Sequence, residues 1–139
     1  IRTAVLRRPR SPAALRREVL TMRKKLHDAH PNRTALFDLK HNPGGMIDIE
    51  FIVQYLVLCH AAQYPQLVAD IGNIGLLKLC GALGLIDPTL AGEVADAYRR
   101  MRRLQHQIRL QGEQRARVEP EQVATDAAAV RRLWDAVLG

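Results

Sequence analysis

The chain has 139 residues, a formal net charge of +7, 47% hydrophobic residues and only 4% aromatics. That length suits one domain with a sizeable core. No apolar run is long enough to span a membrane, no apolar signal-peptide core opens the chain, and the aromatics are too few for a single-strand nucleic-acid platform. Cys59 and Cys80 form no Cys-x-x-Cys pair and read as reduced, buried thiols, which fits a cytoplasmic protein. The basic balance suits an acidic protein partner, nucleotide phosphates or RNA; nucleic acid is the least favoured, because no recognised binding motif accompanies the charge.

The chain begins at Ile1 and reads as a piece of a longer protein, with residues 1–10 a basic tail or linker and residues 11–139 the domain. Ser11 followed by Pro12 predicts a capped helix start. Leu15, Val19, Met22 and Leu26 then form an amphipathic stripe, and the helix closes around His27, His30 and Pro31. His27 and His30 have the spacing for a shared metal, but no third ligand is evident, and a solvated helix end accounts for them. Residues 32–42 form a long connection in which Phe37 and Leu39 are expected to reach the core.

A Pro43-Gly44-Gly45 turn follows, and then a helix of about residues 46–62 with almost no polar face, stopped by Pro65. A helix apolar all round belongs in the middle of a domain. Gln54, polar within it, is expected to need a hydrogen-bond partner. A compact apolar helix spans residues 73–83, capped by Gly84. Asp87 and Pro88 open the longest stripe, Leu90, Val94, Ala97, Met101, Leu104 and Ile108, over about residues 88–111. Its outer face carries Arg99, Arg100, Arg102, Arg103 and Arg109, with Arg115 and Arg117 just beyond. Residues 113–124 read as a loop because of Pro120, and Thr125 or Asp126 is expected to cap a last helix over residues 127–138. Strand signals are negligible. The fold class is therefore all-α, a bundle of five or six helices around the central 46–62 helix.

The chemistry concentrates at Lys40, Gly44, Gly45, Asp48 and Glu50. One reading takes Asp48 and Glu50 as magnesium-binding carboxylates beside a phosphate-cradling turn. Helix geometry opposes it, because positions i and i+2 diverge by about 200° at 3.6 residues per turn. A second reading makes the element a tight turn with acids complementing a helix N-terminus, one of them pairing with Lys40 or an arginine of the long helix. A third adds that the turn's N–H groups and Lys40 face a nucleotide or a partner on a neighbouring domain. The arginine face, with Arg99, Arg102, Arg103 and Arg109 as its candidates, is a solvated surface by default or a contact for an acidic protein or nucleotide.

The stretch F-D-L-K-H-N-P-G-G-M-I-D-I-E-F-I-V-Q-Y-L-V-L, Phe37 to Leu58, resembles a signature of the bacterial glutamine synthetase adenylyltransferase family, also called glutamate–ammonia-ligase adenylyltransferase. Lys40, Gly44, Gly45, Asp48, Glu50, Phe51 and Gln54 fall in place, and weaker similarity through Gly72-Asn73-Ile74 and the arginine-rich helix covers most of the chain. The resemblance implies the C-terminal helical domain that accompanies the adenylylating half. The full-length enzyme would move AMP from ATP, with Mg²⁺, to a tyrosine of glutamine synthetase, its other half would remove it, and glutamine and a PII-type signalling protein would set the balance. It also implies that the catalytic aspartates belong to the preceding nucleotidyltransferase domain, so that this stretch carries no catalytic residue, no metal and no bound cofactor. The helical domain of a related PII uridylyltransferase and a stand-alone basic binding module are the rival readings.

Overall fold

The structure, a computed structural model, describes residues 11–113 and 115–139; the expected tail over residues 1–10 lies outside them. Among the described residues five α-helices account for the fold: α1 (Pro12–Ala29), α2 (Met46–His60), α3 (Gly72–Ala82), α4 (Pro88–Leu110) and α5 (Pro120–Leu138). A 3-10 turn, Pro65–Val68, links α2 to α3.

The apolar helix is central, as its composition demands. α2 packs against each of the other four helices. Ile49, Ile52, Val53 and Leu56 are buried along it, and Leu15, Leu77, Val94, Met101, Val130 and Leu133 meet them from the surrounding helices. Before its last turn the helix is uncovered only at Glu50 and Gln54, which are exposed at helical spacing and lead to the half-buried Leu58. Gln54 is therefore polar because it faces outward, and the internal partner expected for it is not needed.

The sequence signals at helix ends act as physical chemistry predicts. The Asp87 carboxylate accepts from the Leu90 amide at 2.8 Å, and Ser11 Oγ accepts from the Ala14 amide at 3.4 Å. Replacing Asp87 with Ala should lower stability by about 1 kcal/mol, and Ser11→Ala by less because its bond is long and exposed; chemical denaturation checks both. Gly84 and Gly112, at φ of +78° and +86°, close α3 and α4 in the left-handed conformation.

Three expectations are corrected. Met22 is 54% exposed instead of completing the α1 stripe. Past Val19 the inward positions go to Arg23 and Leu26, because Arg23 is drawn to a buried carboxylate on α2, and that turns Met22 to solvent. The last helix starts at Pro120, two turns before the expected boundary, since proline suits the first helical position as well as a loop. Asp126 is accordingly a buried mid-helix residue held by Arg100 of α4, and not a cap. Finally, a minimal antiparallel ladder, β1 (Phe37–Asp38) with β2 (Arg117–Val118), ties the long connection to the α4–α5 loop, pairing Phe37 with Val118 and Asp38 with Arg117. Two residues per strand are too few to leave a periodic signal.

Candidate functional site

The Gly-Gly turn is bonded inward throughout. The Gly45 amide donates to the Asn42 carbonyl at 2.8 Å, Met46 to Leu39 at 2.8 Å and Ile47 to Lys40 at 3.0 Å. The Gly44 amide donates to Asp48 Oδ2 at 2.8 Å. The amides of residues 44–47 are thus committed within the fold, which removes the phosphate cradle from the turn itself. Gly44, at φ +87°, lies against Ala127 of α5, and a Cβ on Gly45 would meet the Leu39 carbonyl oxygen at 2.7 Å. Both glycines are buried and required by close approach, with no face toward a ligand.

Asp48 is the anchor of this element. It is 1% exposed, and Arg23 of α1 clasps it with Nε at 2.9 Å and a terminal nitrogen at 2.8 Å, the two-pronged geometry in which a guanidinium binds a carboxylate best. The Arg23 guanidinium in turn lies 3.9 Å from the centre of the Trp134 ring on α5. One buried charge therefore joins α1, the turn, α2 and α5. Neither Lys40 nor an arginine of the long helix is its partner. Glu50 points elsewhere: its Oε2 accepts from Tyr98 Oη of α4 at 3.1 Å, and Tyr98 Oη accepts from Asn73 Nδ2 at 3.1 Å. Burial raises the Tyr98 phenol above its ordinary range, opposed by the Asn73 hydrogen bond and aided by Glu50.

A magnesium ion needs convergent oxygens. Asp48 is spent on Arg23 and Gly44 while Glu50 faces Tyr98, so the pair does not fit a Mg²⁺ site. Among the described residues no group of three His, Cys, Asp or Glu side chains converges as metal ligands. His27 and His30 part company as well: His27 Nε2 stands 4.0 Å from Asp48 Oδ1, and His30 stacks on His41 with ring centres 4.2 Å apart. Burial pushes the Cys80 thiol up to about 11 and also raises Cys59, so both remain protonated and unreactive at neutral pH.

Lys40 has a different fate from the glycines beside it. It is exposed, on the rim of a cleft of about 240 Å³ shared with Arg109 of α4, Arg115 of the following loop, and the stacked His30 and His41. The cleft floor is Asp38, buried at the end of β1, whose Oδ1 accepts from the Lys40 and His41 amides, each at 3.0 Å. Of the other basic candidates, Arg99 pairs with Asp96 at 3.2 Å, Arg102 lies 5.7 Å from the Tyr98 ring centre, and Arg103 is exposed on the outer face. Sequence reasoning missed Arg23, Asp38 and His41. Of these only Asp38 left a signal, an acid two and three residues before amides it could cap.

Residues 14–133 of this all-helical domain match the family described as GlnD PII-uridylyltransferase, and the chain belongs to that family. Over its whole length it is similar to enzymes named bifunctional glutamine synthetase adenylyltransferase/adenylyl-removing enzyme. It is 55% identical over 99% of the chain to that of Bordetella bronchiseptica, 54% over 99% to that of Bordetella pertussis, and 52% over 100% to that of Aromatoleum aromaticum. The chain spans about 15% of the length of these relatives. The family description names the uridylyl enzyme and the relatives name the adenylyl enzyme. Identity of half the residues over the whole chain places this protein beside the latter, as the resemblance of Phe37–Leu58 implied.

Proposed function

We propose that the chain is the helical domain that accompanies the adenylylating nucleotidyltransferase domain of a bifunctional glutamine synthetase adenylyltransferase, with residues 1–10 connecting to that domain. The observation that carries the reading is whole-chain identity above 50% to enzymes of which this chain forms about 15%. In the full-length protein the substrates would be ATP, with Mg²⁺, and glutamine synthetase, a PII-type protein would act as a regulatory partner, and the setting would be the bacterial cytoplasm. No described helix is long and apolar enough to cross a membrane. The chain's own part is support and presentation. The Asp48–Arg23 clasp holds the turn so that Lys40 stands at a fixed place on the surface, and the catalytic aspartates and metal belong to the neighbouring domain. On this reading the isolated chain is inactive.

A graft tests it. The matching segment of the Bordetella bronchiseptica enzyme is replaced by this chain, and AMP transfer to glutamine synthetase is followed with ATP and Mg²⁺. The graft should retain transfer to within about tenfold, about 1.4 kcal/mol in the barrier, while the isolated chain gives none. A folded graft that transfers no AMP, or AMP transfer by the isolated chain, would refute the assignment.

A further inference from the structure

The cleft beside the Gly-Gly turn has a composition that the supporting role does not explain. Lys40, Arg109 and Arg115 bring three positive charges to a space of about 240 Å³, and none of the three has an ion-pair partner among the described residues. On the rest of the basic surface Arg99, Arg100 and Arg132 are paired with Asp96, Asp126 and Glu93, while Arg102 and Arg103, also without an ion pair among the described residues, line no cleft with other cations. The one carboxylate in the cleft, Asp38, is turned to structure. Its Oδ1 takes the Lys40 and His41 amides and lies 3.5 Å from His41 Nδ1, while Oδ2 stands 4.0 Å from Arg117 Nε.

The two imidazoles add ring N–H donors. His30 and His41 stack at 4.2 Å with planes 18° apart on one side of the cleft.

We propose that this cleft is a binding site for a diphosphate-type anion, held between Lys40, Arg109 and Arg115 with the His30–His41 stack as its wall. Guanidinium forks suit phosphate oxygens, and an anion with several negative charges matches three uncompensated cations where a single carboxylate does not. The volume lies below the roughly 300–1,000 Å³ typical of sites that enclose a drug-sized ligand. The cleft therefore takes the phosphates and leaves any attached nucleoside outside. The source is either free inorganic diphosphate or the tail of a nucleoside diphosphate. The inference rests on the cleft alone and holds whichever enzyme the domain serves.

Binding should be felt at the His41 ring. Burial holds the His41 imidazole below its ordinary value, aided by His30 and Lys40 and opposed by Asp38. Arg109 and Arg115 line the same cleft from α4 and the following loop. An anion in the cleft opposes that depression and raises the His41 value toward its ordinary one.

The test is a titration of the 139-residue chain with inorganic diphosphate, without divalent cations and at fixed ionic strength, read from the histidine ring protons by NMR. The His30 and His41 signals should shift saturably while those of His60 and His106 stay put. The His41 titration midpoint should move up when diphosphate saturates the cleft. Lys40→Ala/Arg109→Ala, both exposed positions, should weaken binding at least tenfold with an unchanged melting temperature. ADP binding tenfold tighter than inorganic diphosphate would identify a nucleotide tail; equal affinities would identify the free anion. Non-saturating shifts shared by all the histidines, or a double variant that binds as well as the parent, would overturn the site.

Discussion

Arg23→Ala should destabilise the domain by about 3 kcal/mol, because it leaves a buried carboxylate without its counter-charge. Asp48 is 1% exposed and keeps only the Gly44 amide at 2.8 Å once the guanidinium is gone, with His27 standing 4.0 Å away. The variant also strips the cation from the face of Trp134, a contact worth about 0.5–2 kcal/mol. The estimate is set at the low end of the range of about 3–5 kcal/mol for breaking a buried pair, since the Arg23 side chain is 22% exposed and water reaches it. Urea unfolding followed by the fluorescence of Trp134, the sole tryptophan, measures the loss and reports on the same contact.

The double variant Arg23→Met/Asp48→Leu separates the ion pair from the packing. Apolar replacement of both partners removes the unpaired charge, but it leaves the Gly44 amide buried without an acceptor, which costs about 1–3 kcal/mol. The double variant should therefore be more stable than Arg23→Ala and less stable than the parent. A loss below about 1 kcal/mol for Arg23→Ala would mean that Asp48 finds other solvation and that the clasp is not what fixes the turn.

What the sequence makes legible follows from the range of each interaction. The apolar α2 and the regular repeat of α4 are statements about one helix and its own faces, and periodicity carries them. Pro120 is ambiguous because proline both breaks a helix and starts one, so the first two turns of α5 are hidden from local reasoning. Met22 is misplaced for a different reason: its neighbour Arg23 has a partner on another helix, and a charge–charge demand overrides the apolar stripe. The site shows the same division. Lys40 and Arg109 stand out separately, one by the turn and one by the arginine face, but their meeting in a cleft depends on the β1–β2 ladder that draws the turn toward the end of α4. Asp48 is recognisable as a helix-start acid, whereas its choice of Arg23 over Lys40 depends on how α1 lies across α2.

Gly44→Ala should lower stability by about 2–5 kcal/mol, the sum of two separate demands. At φ +87° the residue occupies a conformation that costs an L side chain about 1–2 kcal/mol. Its Cβ would also sit 3.0 Å from the Ala127 carbonyl oxygen and 3.1 Å from the Ala127 Cβ, so α5 must move or the turn must open, at about 1–3 kcal/mol. Gly84→Ala supplies the control, since φ is +78° there but nothing lies within 4 Å of the added methyl, and about 1–2 kcal/mol of conformational cost is all that is expected. Gly45→Ala isolates the steric part: its φ of −92° is ordinary, yet the methyl would meet backbone oxygens of Leu39 and Asn42 at 2.7 and 2.9 Å. Thermal and urea unfolding of the three variants should therefore rank Gly84→Ala as the mildest. A Gly44→Ala loss no larger than that of Gly84→Ala would show that α5 yields freely at Ala127. The turn would then be held by the Asp48 bonds and its own backbone bonds, and the contact between turn and last helix would have no part in placing Lys40.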